Sequence, residues 1–280
     1  MGLVGTLNGG PHMTKHDAPL PIRVIVAGAA GRMGQEVVRA VLAQPDLQLV
    51  ACFDRVYGPE VVPPASGARM ASSLAELEGV EADVWVDFTV PAFVKTGVSW
   101  ALEHGMVPLV GATGMGPEDR AELAALAERT GRGCLIAPNF ALGAVLLMKF
   151  AAEAARYFPA AEIIELHHER KVDAPSGTAR LTADRMSAVR HEVGLPSEPL
   201  EAGEEAIAGV RGGACGGIRV HSVRLPGLLA HQEVLLGGTG ELLTLRHDSL
   251  SRESFMPGVV LAIRKASSIR GLIVGLENLL

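Results

Sequence analysis

The chain has 280 residues, a net charge of −6, 48% hydrophobic side chains and only 4% aromatic ones. That length serves two domains or one large α/β domain, and a core built mainly from Val, Leu, Ile and Ala suits buried parallel strands covered by helices. The acidic balance gives no footprint for nucleic acid, and no apolar run approaches the roughly 20 residues that span a bilayer.

Residues 1–21 mix Gly, Pro, His, Asn and Thr without apolar periodicity. They read as a disordered arm, an added expression segment or a mis-assigned start. No secretory leader is visible, so the expected location is the cytoplasm. Cys52, Cys134 and Cys215 are odd in number and widely spaced. They fit neither a disulfide framework nor a zinc pattern, and reduced thiols are expected.

Ile22–Ala27 is a β-branched run and reads as a strand. Gly28-Ala-Ala-Gly-Arg-Met-Gly34 follows, and Gln35–Ala43 then carries apolar residues at helical spacing. Strand, glycine turn and helix form the context of a dinucleotide fingerprint. Gly28 would permit the tight turn, Gly31 would let the backbone approach a pyrophosphate, and Gly34 would let the helix pack on the strand. Ala30 stands where the common pattern has its second glycine, and the motif alone is weak. The next strand, Leu47–Phe53, ends in Asp54-Arg55. An acid at the end of the second strand is where the ribose of NAD is held, whereas Arg55 would stack on adenine or meet the 2′-phosphate of NADP. The choice between the two cofactors stays open.

Val56–Ala71 is rich in Pro and Gly and reads as a loop, and Ser72-Ser73 cap a short helix running to Glu78. Strands are expected over 82–89, 106–110 and 133–137, with helices from Pro91 and over 117–130. This alternation implies a parallel, doubly wound sheet, whose ligands sit beyond the strand C-termini. Gly28–Gly34, Asp54, Phe88-Thr89, Gly111–Gly114 and Ala137–Phe140 all fall there.

Leu142–Phe158 is a long apolar helix that crosses to a second domain, and Ala161–Leu166 is a strand that delivers the polar cluster Glu165-Leu-His-His-Glu-Arg-Lys-Val-Asp-Ala-Pro-Ser-Gly-Thr-Ala179. Its donors and cations suit a small anion. Lys171 offers a point charge, the Gly177 and Thr178 N–H groups open a helix, and a histidine titrates near neutrality. In a regular strand His167 and His168 would face opposite sides. The bland readings are a solvated histidine pair, a surface Lys171 and a Ser176 that only caps its helix. His167, His168, Asp173 and His191 lack metal-ligand spacing, and no metal is expected. The helix runs to Val193, residues 195–217 read as a loop or lid, and 218–224, 230–236 and 241–247 read as antiparallel strands extending the sheet begun at residue 161. A last helix, Phe255–Ser268, returns to the first domain.

The cluster at 165–179 resembles the signature of the bacterial dihydrodipicolinate reductase (4-hydroxy-tetrahydrodipicolinate reductase) family. Gly28-Ala-Ala-Gly-Arg-Met-Gly34, Val86-Asp-Phe-Thr89, Gly111-Ala-Thr-Gly114 and Ala137-Pro-Asn-Phe140 are similar too, and the likeness covers roughly residues 22–280. It implies a Rossmann-type domain (22–140 with 251–280), an α+β substrate-binding and tetramerisation domain (141–250), and a homotetramer. The implied activity is NADH- and/or NADPH-dependent reduction of 4-hydroxy-tetrahydrodipicolinate to tetrahydrodipicolinate in diaminopimelate and lysine biosynthesis.

By the same resemblance, Gly28, Ala29, Ala30, Gly31, Arg32 and Met33 hold the pyrophosphate, Asp54 the adenosine ribose and Arg55 the phosphate of NADP. Phe88, Thr89, Gly111, Ala112, Thr113, Ala137, Pro138, Asn139 and Phe140 complete the cofactor side. His167 is the implied proton donor or acceptor and Lys171 a second proton donor. His168, Lys171, Ser176, Gly177 and Thr178 bind the dicarboxylate substrate. The chain departs from the family at Val90, where Arg is frequent, and at Ala141, where Ser is. Two other readings remain: another Rossmann oxidoreductase with an appended α+β domain, such as a sugar dehydrogenase or a semialdehyde dehydrogenase (an acylating one would need a cysteine at a strand–helix turn, and Cys134 lies inside a strand), and a nucleotide-sensing regulator, which would not need this cluster.

Overall fold

The structure, a computed structural model, describes residues 20–55, 67–112, 114–196 and 204–280. The expected N-terminal arm lies outside the described residues, apart from its last two, and so do Thr113 and most of the Pro/Gly-rich loop after Arg55.

Seven parallel strands form the first sheet: β1 (Ile22–Ala27), β2 (Leu47–Phe53), β3 (Arg69–Ala71), β4 (Val84–Asp87), β5 (Val107–Val110), β6 (Cys134–Ile136) and β12 (Leu272–Val274), in the order β12-β6-β5-β4-β1-β2-β3. Helices α1 (Arg32–Leu42), α2 (Pro91–Glu103), α3 (Pro117–Thr130) and α6 (Met256–Lys265) cover it. The side chains of β1 alternate between two cores. Val24 and Val26 pack with Val37, Val38 and Val41 of α1 and with Val259 and Ile263 of α6. Ile25 and Ala27 pack with Phe53, Trp85 and Ala101 on the other face. Two-sided burial of this kind explains strands that read as continuous apolar runs.

Two edge strands escape the sequence pattern. β3 lies in what reads as a loop and pairs with β2. β12 is only three residues long and sits between Gly271 and Gly275, both at positive φ. Neither is long enough to show a period of two. The last helix is also shorter than expected: residues 252–255 and 266–268 are single 3₁₀ turns flanking α6.

The second sheet has the order β11-β10-β7-β9-β8 and is built from β7 (Ala160–His167), β8 (Gly213–Cys215), β9 (Ile218–Arg224), β10 (Ala230–Gly238) and β11 (Glu241–Ser249). Here the expectation of antiparallel extension needs correcting. β10 and β11 are antiparallel to their neighbours, but β9 runs parallel to β7. The intervening α5 (Gly177–Glu192) supplies the crossover that a parallel pair requires. β8, inside the expected loop 195–217, hydrogen-bonds to β9.

Helices α4 (Leu142–Ala154) and α5 pack on one face of this sheet. Rows of cross-strand neighbours on that face change character along β7. Leu245, Val234, Ile163 and Val220 form one apolar row. The next two rows are His247, Gln232, Glu165 and Ser222, then Ser249, Ala230, His167 and Arg224. The apolar row anchors the helices; truncating the fully buried Ile163 to Ala would cost about 2–5 kcal/mol. The polar rows lie where the strand emerges toward the first sheet. The opposite face carries Ile164, Leu166, Val223 and Leu235, all half-buried.

Candidate active site

The turn after β1 is built for close approach. Gly28 has φ +78, and a Cβ there would lie 2.5 Å from the Phe88 carbonyl oxygen. A Cβ on Gly34 would collide with the Gly28 carbonyl. Gly31 is the extended N-cap of α1, with Gln35 N–H donating to its carbonyl at 3.0 Å. The helix therefore opens at Arg32, three residues earlier than the apolar pattern indicates. Its first turn points at a groove lined by Gly28, Ala30, Gly31, Asp54, Arg55, Phe88 and Thr89, joined by Phe53, Val90 and Phe93. The Ala29 side chain is fully buried and Met33 packs on the core, so these two could reach a ligand here chiefly through backbone.

Asp54 is tied to the glycine turn: the Ala30 N–H donates to its Oδ2 at 2.9 Å. Sequence position alone offers it only a ribose to bind. Asp87, to which the sequence assigns no role, holds the other wall. It is fully buried and accepts from the Thr89 N–H at 2.9 Å, the Thr89 hydroxyl at 2.6 Å and the Trp85 indole at 2.9 Å. Burial pushes its carboxyl above the usual range, although these donors pull it down. Gly111 lies so close to the Phe88 ring that a Cβ would clash with it, and Phe88 packs on Phe140 with centroids 5.8 Å apart. A glycine turn crowded by backbone, a helix N-terminus and one guanidinium supply donors, and one carboxylate an acceptor, in the combination that suits a dinucleotide.

The second half of the site grows from the end of β7. Glu165 is fully buried. Its Oε2 lies 2.5 Å from His167 Nδ1 and accepts from Arg224 Nη1 at 3.0 Å. Its Oε1 accepts from Arg224 Nη2 at 2.8 Å and from the Ser176 N–H at 3.2 Å. Burial pushes this carboxyl up, but the hydrogen bonds from His167, Arg224 and Ser222 outweigh it and hold it at about 2. Ser176 is the N-cap of α5, its hydroxyl accepting from the Ala179 N–H at 3.2 Å. Gly177 and Thr178 form the first turn.

His167, Ser176 and Thr178 line one pocket together with Asn139 from the first sheet, and with Gln232 and His247 from β10 and β11. Asn139 spans the two halves: its Nδ2 donates to Thr178 Oγ1 at 3.4 Å while its Oδ1 accepts from the Ala141 N–H at 2.8 Å. The side chains of His168 and Lys171 are not among those lining this pocket. β7 ends at His167, and the His168 ring accepts from the Arg170 N–H at 3.2 Å. Lys171 Nζ donates to Asp173 at 2.7 Å, which draws the Asp173 carboxyl below its ordinary range. Pro138 is exposed and Ala137 buried at the end of β6. Arg224, Gln232 and His247 carry no functional signal in the sequence. Their strands are legible there, but which face meets β7 is not. Among the described residues no group of three or more His, Cys, Asp or Glu is placed to hold a metal.

Two family models match the chain: "Dihydrodipicolinate reductase, N-terminus" over residues 22–140 and "Dihydrodipicolinate reductase, C-terminus" over residues 143–280. The 4-hydroxy-tetrahydrodipicolinate reductase of Streptococcus pneumoniae (strain ATCC 700669 / Spain 23F-1) is 52% identical over 263 residues, covering 93% of this chain and 100% of the relative. That of Desulfitobacterium hafniense (strain DSM 10664 / DCB-2) is 50% identical over 268 residues, covering 92% and 98%. The solved structure of a dipicolinate-bound dihydrodipicolinate reductase from Paenisporosarcina sp. TG-14 superposes with a TM-score of 0.84 at 42% identity, covering 93% of this chain and 100% of that one. GenD2 of gentamicin A biosynthesis, solved with NAD, shares the fold alone, with a TM-score of 0.61 at 18% identity.

Proposed function

We propose how the site works from the premise that this chain belongs to the dihydrodipicolinate reductase family. The enzyme reduces 4-hydroxy-tetrahydrodipicolinate to tetrahydrodipicolinate, a step of diaminopimelate and lysine biosynthesis, with a nicotinamide dinucleotide. Bound in the groove beside Gly28 and Phe88, that cofactor supplies the hydride.

The chain's own residues do the rest. The first turn of α1 and the Gly28–Met33 backbone hold the pyrophosphate. Asp54 takes the ribose hydroxyls and Arg55 the 2′-phosphate, so the enzyme accepts NADH and NADPH. Thr89, held by Asp87, joins Gly111–Thr113 and Ala137–Phe140 in shaping the nicotinamide end. On the facing side Ser176, Gly177 and Thr178 present a helix N-terminus to one substrate carboxylate, which suits an anion without a full charge. Lys171 and His168 reach the dicarboxylate from the loop after β7, with Lys171 exchanging Asp173 for substrate. His167 moves the proton that balances the hydride, and Lys171 is a second donor.

The observation that carries this reading is the contact of Asn139 with Thr178, which sets the nicotinamide wall against the carboxylate cradle. The opposite face of the second sheet, where half-buried Ile164, Leu166, Val223 and Leu235 sit among charged pairs such as Arg246–Glu233 and His231–Asp248, supports a homotetramer built through that face. No helix among the described residues is long and apolar enough to cross a membrane, and we place the enzyme in the cytoplasm. The test is oxidation of NADH and NADPH coupled to freshly made product of the synthase that precedes this step. Turnover with both cofactors is expected; no turnover with either overturns the reading. Light scattering should return four times the chain mass, and a monomer would remove the tetramer.

A further inference from the structure

We propose that Glu165 is the positioning residue for proton transfer: one buried carboxylate fixes the His167 ring through Nδ1 and, with its other oxygen, pins the Ser176–Gly177–Thr178 turn. The proton donor and the carboxylate cradle are thereby set by the same two atoms. This rests on the reading of His167 as the proton donor.

The hydrogen-bond pattern leaves little freedom. Arg224 donates to both oxygens, at 2.8 and 3.0 Å, and Ser176 N–H adds a third donor at 3.2 Å. A carboxylate so surrounded is ionised, and an ionised carboxylate has only acceptor sites. The His167 nitrogen 2.5 Å from Oε2 must therefore carry a proton. That holds for the neutral ring and for the charged one. The nitrogen whose proton comes and goes is then Nε2, on the ring edge away from Glu165. The His167 ring faces the pocket shared with Asn139, Thr178 and Gln232. A ring with the opposite tautomer would present a fixed Nε2–H and lose its grip on the strand, so Glu165 decides which nitrogen is available for exchange.

Arg224 extends the same anchor. Its Nη2 also donates to the Asp173 carbonyl at 2.6 Å, which fixes the loop carrying Lys171. Proton donor, carboxylate cradle and cationic loop thus share one buried ion pair. A buried pair of this kind is a weak source of stability but a strong source of fixed geometry.

The first measurement needs no variant. Ring ¹⁵N spectra of His167 in the folded enzyme should show the neutral ring protonated at Nδ1; a neutral ring protonated at Nε2 overturns the proposal. The second uses Glu165→Gln. Its carbonyl oxygen, at the Oε1 position, accepts from Arg224 Nη2 and the Ser176 N–H, while its amide NH₂, at the Oε2 position, faces both Arg224 Nη1 and His167 Nδ1 and forces the neutral ring to carry its proton on Nε2. The expected result is a kcat lower by on the order of 10²–10⁴, the scale of other histidines held in the wrong tautomer, with a KM shifted only a few-fold. An unchanged kcat and an unchanged tautomer overturn the proposal. If the single variant does not fold, Glu165→Gln with Arg224→Met removes the guanidinium left partly unpaired; because Arg224 also anchors the Lys171 loop, only the His167 tautomer is read there, with Nε2 protonation expected and Nδ1 protonation overturning the proposal. The two levels separate cleanly. Wild-type kcat in His167→Ala removes the proton-donor reading itself, whereas an inactive His167→Ala beside a fully active Glu165→Gln removes only the positioning role of Glu165.

Discussion

Asn139 Nδ2 donates to Thr178 Oγ1 across 3.4 Å, and this contact joins the end of strand β6 to the first turn of helix α5. The two residues sit 39 apart in sequence and on elements of different sheets. Replacing Asn139 by Ala removes this bond and also the one that holds the Ala141 N–H. A neutral hydrogen bond is worth about 0.5–1.5 kcal/mol, so the KM for substrate is expected to rise by about 2–10-fold. Steady-state kinetics at saturating cofactor check this; an unchanged KM would separate Asn139 from the site.

Lys171 is expected to contribute to both binding and turnover. Lys171→Ala should raise the substrate KM by about tenfold or more, since a charge-assisted hydrogen bond is worth about 1.5–3 kcal/mol, and should also lower kcat. Thermal stability should barely move, because the pair with Asp173 is a surface one. Kinetics and a melting curve on the same preparation decide the point.

Gly28 should tolerate no side chain. Gly28→Ala places a Cβ 2.5 Å from the Phe88 carbonyl and strains a φ of +78. The left-handed conformation alone costs about 1–2 kcal/mol. Weaker dinucleotide binding in a calorimetric titration, with a lower Tm, is the expected result.

The roles proposed for Arg55 and Asp54 divide the cofactors. Arg55→Ala should raise the KM for NADPH by about tenfold or more and leave that for NADH nearly unchanged. Asp54→Ala should weaken both, because Asp54 also fixes the Ala30 N–H. Parallel kinetics with the two cofactors separate these outcomes.

Glu165 makes stability depend on acid. Its carboxyl is held at about 2 in the folded protein against an ordinary value of 4.5. A depressed carboxyl contributes stability above the unfolded value, and that contribution is lost as pH falls from about 5 toward 2. The Tm should drop through this window, and less steeply in Glu165→Gln than in the parent.

Much of the first sheet is legible in the sequence because its strands alternate with helices and end in glycine or polar turns. The groove residues Gly28, Asp54 and Thr89 announce themselves through position at strand ends. Three-residue strands such as β3 and β12 carry no periodicity, and only tertiary pairing reveals them. The direction of β9 runs against the sequence expectation because apolar alternation is the same for parallel and antiparallel partners. Glu165 stands inside the signature at 165–179, yet its role depends on Arg224, 59 residues later. Gln232 and His247 reach the pocket only because their register places them beside Glu165 on the same face. Register is not written in local pattern.

The proposed mechanism assigns proton transfer at this site to His167. In His167→Ala, kcat should fall by about 10²–10⁴ with a much smaller change in KM, as loss of a general acid requires. A variant that turns over at the wild-type rate would contradict the assignment of proton transfer to this ring.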